Sequence, residues 1–213
     1  MGKIDENYFK STDKDYSKID DIIAEDEQIL WRGKPKKSAY IVNAILKMLP
    51  IALIWIAFDV TFITLMLTNI GWDAIPAPMK IFIFVFFAFH LVPVWIWLSN
   101  VITANRQHKN LEYAFTNRRI IVRSGIIGID FKNVYYTDVE AVNLRVGIVD
   151  KILKVGDVYI NSKTGATVLF DLTDPYFITQ RLQKIVMDIK TDTLFPNDLR
   201  PDENKGYKTD YKG

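Results

Sequence analysis

A block of apolar residues from Met48 to Ile102, broken once at Gly71–Lys80, constrains this chain more than any other stretch. Each half, about 48–69 and 81–102, is close to the roughly 20 residues that cross a hydrocarbon core about 30 Å thick as a helix. The break carries Gly71, Pro76 and Pro78, which mark a turn. The expectation is a transmembrane hairpin of two helices over residues 39–103. Pro50 and Pro93 are expected to kink those helices, a defect that neighbouring groups in a membrane tolerate.

Charge gives the hairpin an orientation. Arg32, Lys34, Lys36 and Lys37 precede the first half, and Arg106, Lys109, Arg118 and Arg119 follow the second, whereas the turn holds Asp73 and Lys80. Basic residues accumulate on the cytoplasmic side, so both termini are expected in the cytoplasm, with two spans in the plasma (inner) membrane. Trp72 near the turn and Trp95 and Trp97 near the opposite end fit interfacial aromatic belts.

Asp59 and His90 interrupt the two spans. Folding the hairpin about its turn brings them to nearly the same depth. An ionisable group at mid-membrane costs about 2.5–3.5 kcal/mol on insertion scales, so each is expected to face protein and find a partner. A bond between the two would lock the hairpin. A contact between protomers and a proton or ion relay are the other readings of the pair, and two helices alone do not enclose a pathway.

The flanks are polar. Residues 1–18 have too little apolar surface to offset the entropy of ordering, and a disordered arm is expected. Met1–Asn7 shows no secretory signal, and Glu6 stands where a myristoylation site needs Ser or Thr. Residues 19–38 read as a short pre-membrane segment. It holds a possible helical turn at Ile19–Glu27 and a strand near Gln28–Pro35, and it docks on the soluble domain through Leu30 and Trp31. Thr103–Asn110 reads as a basic connector. From Leu111 the pattern turns to short alternating runs: a tight hairpin at Asn117-Arg118, strands at Asp130–Tyr136 and Val139–Val146, a helical turn at Asp150–Val155 ended by Gly156, and a second hairpin across Ser162–Gly165. Asp174 is a good N-cap and Pro175 suits the first helical position; Ile178, Leu182, Ile185 and Ile189 then form one apolar helix face. Residues 191–213 read as a disordered polar tail.

The absence of cysteine removes disulfide frameworks and thiolate chemistry, and the two histidines, His90 and His108, are far apart. No phosphate-binding glycine loop, metal spacing or serine motif is present. The expectation is that the chain is not an enzyme and needs no cofactor.

Three stretches in this order resemble the membrane-bound bacterial pleckstrin-homology (PH) domain proteins. Ile29-Leu30-Trp31-Arg32-Gly33-Lys34-Pro35 resembles the short motif before the spans. Tyr113–Gly125 resembles the opening strand–turn–strand, and Asp150–Ile160 a later signature. The resemblance covers roughly Glu27 to Lys190. It implies a PH-like barrel of about seven strands, capped by a C-terminal helix, over residues 104–190 on the cytoplasmic face, below the helical hairpin. Eukaryotic PH domains that bind phosphoinositides use a long basic first loop, and here that loop is the tight turn at Asn117-Arg118. A specific phosphoinositide is therefore not expected. Arg106, Lys109, Arg118, Arg119 and Arg123 are candidates for weaker contacts with anionic headgroups, worth about 1 kcal/mol per basic residue near the surface. The alternative reading is a solvated turn with topology-setting charge.

These readings converge on a non-enzymatic, membrane-anchored interaction or assembly module whose partners are the lipid bilayer and a protein or second copy, with no nucleic acid. The rivals are an accessory subunit of a transport or export complex using Asp59 and His90, and a weak sensor of anionic lipid surfaces.

Overall fold

Two prolines decide how the apolar block folds. The computed structural model describes residues 16–194 and builds four helices where the sequence predicts a hairpin of two. These are α1 (Lys37–Leu46), α2 (Leu49–Asn69), α3 (Ala77–His90) and α4 (Val92–Asn110). Pro50 lies in the first turn of α2, where its missing N–H is harmless. In one helix continuous with α1, its ring would clash with the Leu46 carbonyl. Pro93 occupies the matching place in α4, and α3 meets α4 at a bend of 50°. Helix α2 is long and apolar enough to cross a membrane, and α3 with α4 passes the same test as a bent pair.

Helix α4 runs through residues 103–110, which the sequence predicts as a connector. That stretch contains no Gly or Pro, and α1 lies along it. The Tyr40 hydroxyl donates to Gln107 Oε1 at 3.0 Å, the Trp97 indole N–H to the Ile45 carbonyl at 2.9 Å, and His108 Nε2 sits 2.9 Å from the Pro35 carbonyl.

The remaining chain forms seven strands. β1 (Ile29–Gly33), β2 (Glu112–Thr116), β3 (Arg119–Ser124) and β4 (Asp130–Tyr135) make one antiparallel sheet in that order. β5 (Val139–Arg145), β6 (Val155–Ser162) and β7 (Gly165–Thr173) make a second. The first sheet contains strands from both sides of the helices. Gly33 pairs with Tyr113 and Trp31 with Phe115, so the four helices are an insertion between β1 and β2. The barrel therefore does not begin at residue 104. The segment 19–38 supplies one of its strands, in which residue 33 is glycine because the Trp31 indole fills the place a Cβ would take.

Alternating positions from both sheets fill the core with Tyr113, Phe115, Ile120, Val139, Ile160 and Leu169. Helix α6 (Pro175–Leu194) closes it with Ile178, Leu182, Ile185 and Val186, while Ile189 is partly buried against the same core. A smaller cluster covers the outer face of the first sheet. There Ile19, from a 3-10 turn at Ile19–Ile22, packs on Ala114 and Ile121.

Four local expectations shift. Helix α5 (Ile148–Leu153) ends at Lys154, which takes the left-handed conformation at φ 56, and not at Gly156. Gly156 lies in β6, where a Cβ would stand 3.0 Å from Pro175 and Val146 side chains. Asp174 has φ 51, outside the extended region where an N-cap residue sits; its carbonyl accepts from the Ile178 N–H at 3.2 Å. Helix α6 reaches Leu194, four residues into the predicted tail, and residues 16–18 of the predicted arm are described, with the Ser17 and Lys18 N–H groups donating to Asp21. The rest of the arm and tail lies outside the described residues.

Candidate functional site

Asp59 on α2 and His90 at the end of α3 meet. Nδ1 of His90 is 2.8 Å from Oδ1 of Asp59, a close polar contact whose angles fall outside hydrogen-bond geometry. The Asp59 side chain is almost fully buried and His90 keeps about a quarter of its surface open (26%). Four aromatic rings surround the imidazole, those of Trp55, Phe58, Phe86 and Phe87, at centroid distances from 5.2 to 6.4 Å. The 3.6-residue repeat puts Trp55, Phe58 and Asp59 on one side of α2, and Phe86, Phe87 and His90 on one side of α3.

The basic residues divide. Arg106 and Lys109 are exposed on α4. Arg118 pairs with Asp26. Arg119 grips Glu27 through two bonds, Nε to Oε1 at 2.9 Å and Nη2 to Oε2 at 2.8 Å, and also donates to the Ile22 carbonyl. The Thr116 hydroxyl donates to Glu27 Oε1 at 2.7 Å. Burial pushes the Glu27 carboxyl up, but the Arg119 and Thr116 hydrogen bonds outweigh it and hold the group below its usual range. Arg123 lies 3.9 Å from Glu112, which Arg32 also approaches at 3.7 Å. Arg118, Arg119 and Arg123 are thus turned to carboxylates of the chain itself. Two of them, Arg118 and Arg119, fasten residues 22–27 onto the β2–β3 turn. Leu30 and Trp31 sit in β1 against the main core, and Trp31 packs on Phe115 with centroids 4.6 Å apart.

A cavity of about 530 Å³ lies between α1, α4 and the barrel. Three aspartates from separate elements reach it: Asp150 on α5, Asp157 on β6 and Asp171 on β7. The Asn43 amide on α1 donates to Asp171 Oδ1 at 2.7 Å and to Asp150 Oδ1 at 3.1 Å. Asp157 Oδ1 accepts from the Asp171 N–H at 2.9 Å. Lys47 and Arg145 stand at the same cavity. Burial, then the Asp157 charge, pushes the Asp171 carboxyl up to about 7, against the pull of Asn43; burial also raises Asp157. The sequence carries no signal for this cluster, because its members are spread over 22 positions and a hundred residues separate them from Asn43. Among the described residues no group of three or more His, Asp or Glu is placed to hold a metal ion.

A model of the bacterial PH domain family matches residues 44–184, about two thirds of the chain. The chain belongs to this family. Its two antiparallel sheets and C-terminal helix are the PH-like fold. No curated protein matches the chain. Among solved structures it is similar to a DUF1696-family protein with a pleckstrin-homology domain from Shewanella loihica PV-4, at 18% identity and a TM-score of 0.28, covering 38% of this chain and 70% of that one.

Proposed function

We propose that this bacterial PH protein is a membrane-anchored, non-enzymatic interaction module. Helix α2 forms one span, α3 with α4 forms the second, and the barrel binds a protein partner or a second copy beneath the cytoplasmic leaflet. One observation carries the reading. Strand β1 precedes the helices and pairs with β2, which follows them, so the barrel can close only if both ends of the helical insertion emerge on one side. The charge on either side of the insertion makes that side cytoplasmic. The surface of the helices agrees: Leu53, Ile54, Phe58, Phe82, Phe84 and Phe89 are each more than half exposed, an apolar belt that lipid would cover.

Two narrower readings attach to specific residues. Asp59 and His90 make α2 and α3 suited to dock on the helices of a transport or export complex, through the open side of His90. Arg106 and Lys109 are the exposed basic pair left for a weak contact with anionic headgroups. The deciding test is the mass of the full chain purified in a mild detergent, with and without native-membrane partners. A defined oligomer or a stoichiometric complex that survives Asp59→Leu is expected of a barrel-mediated module. A complex lost with Asp59→Leu, in protein that stays folded, moves the contact into the helices. A monomer that captures nothing overturns the interaction reading.

A further inference from the structure

The barrel presents a patch of apolar side chains that its own packing does not use. Ile148 and Ile152 are 85% and 75% exposed, and their spacing of four puts them on one side of α5. Tyr176 and Phe177, at the start of α6, are 71% and 57% exposed. The two pairs belong to one corner, since Gly156 brings Pro175 against Val146 at the approach to α5.

The corner stands where the helices leave the barrel. Gly147, the residue before α5, lines the same cavity as Lys47 and Asn100. Asn100 Nδ2 is 3.7 Å from Met48 Sδ, and α2 starts at Leu49. The N-terminus of α5 therefore borders the same cavity as the residues that lead into the first proposed span. Its charge suits an anionic surface. Lys151 and Lys154 are exposed beside the isoleucines, and Arg181 lies over the Phe177 ring at 5.1 Å. Asp150 is buried and turned to Asn43, which leaves Asp174 as the exposed acid of the corner. Apolar and aromatic side chains mixed with lysines are what an interfacial segment needs to lie at the headgroup boundary.

We infer that this corner docks on the bilayer from which the barrel hangs, with Ile148, Ile152, Tyr176 and Phe177 entering the interface and Lys151 and Lys154 meeting anionic headgroups. The inference rests on the two-span reading. Docking would fix the orientation of the barrel and restrict which of its faces a partner can reach.

The chain has no cysteine, so single labelling sites are available in the full protein. Ile148→Cys, Lys163→Cys at the β6–β7 turn and Leu53→Cys on α2 would each carry an environment-sensitive fluorophore in phosphatidylcholine–phosphatidylglycerol vesicles. Nitroxide lipids are expected to quench the Ile148 label from the headgroup region several-fold more than the Lys163 label, and the Leu53 label from the acyl chains. An Ile148 label that behaves like Lys163 while Leu53 is quenched overturns the docking and leaves the spans standing. A Leu53 label untouched by nitroxide lipids overturns the spans, and the docking with them. An Ile148 label shielded from aqueous iodide yet out of reach of nitroxide lipids also overturns it, because protein then covers the patch.

Discussion

Glu27 shows how much one residue can hold. It is buried, and Arg119, Thr116 and the Ala24 N–H satisfy it. Removing one partner of such a pair leaves an uncompensated charge, so Arg119→Ala is expected to cost about 3–5 kcal/mol in chemical unfolding. Arg118→Ala, which removes an exposed pair with Asp26, should stay within about 1 kcal/mol. Two carboxylates with shifted protonation, Glu27 and Asp171, act in opposite directions. Glu27 is held low, so its stabilisation is present above the unfolded value and is lost as pH falls through the lower folded value. Asp171 is held high, from 3.8 to about 7. Its contribution is fully present below about 3.8 and is lost as pH rises through about 7. Asp171→Asn is therefore expected to raise the apparent Tm at pH 8 relative to the parent, and the gain should shrink toward pH 5. A constant difference across that range would contradict this account of the cavity. For the Asp59–His90 contact between α2 and α3, Asp59→Leu alone should lower thermal stability in detergent, and adding His90→Leu should recover part of the loss, a coupling read from the double-mutant cycle.

At the level of elements, the insertion between β1 and β2 makes the clearest demand. Pro35 and His108 are in contact across it, 2.9 Å apart, so the barrel's two entry points are neighbours. A short flexible linker joining residues 16–35 to 110–190 should give a folded, soluble barrel, with a dispersed amide spectrum. Residues 104–190 alone lose β1 and the Ile19 cover over Ala114 and Ile121, and are expected to aggregate through the bare β2 edge. Strands β2 to β7 and the apolar face of α6 are legible in the sequence, because tight turns and period-two or period-3.6 patterns are local. The apolar block also reads correctly as helix, with Pro93 as its bend. Helix α1 and the length of α4 escape such reading. Their residues are mixed in polarity, and the helix is secured by the contacts of Tyr40, Trp97 and His108 between two segments sixty residues apart. The pairing of β1 is non-local in the same way: alternation marks a strand but does not say which edge it joins. The contact of Asp59 with His90 follows from folding the block about its turn, whereas the aspartates around Asn43 meet only through the barrel's closure.

For the whole molecule, the architecture joins four helices, α1 to α4, to a barrel at two adjacent points, the end of β1 and the start of β2. The fold alone does not name what binds the barrel. The central claim is that the barrel closes across a two-span insertion, with both ends on one face. Single cysteines at Asp73, in the turn between α2 and α3, and at Lys163, in the barrel, test it in sealed vesicles of known orientation with a membrane-impermeant thiol reagent. The account expects Asp73→Cys to react from the outside alone and Lys163→Cys only after the vesicles are opened. Both positions reacting from the same side would contradict it.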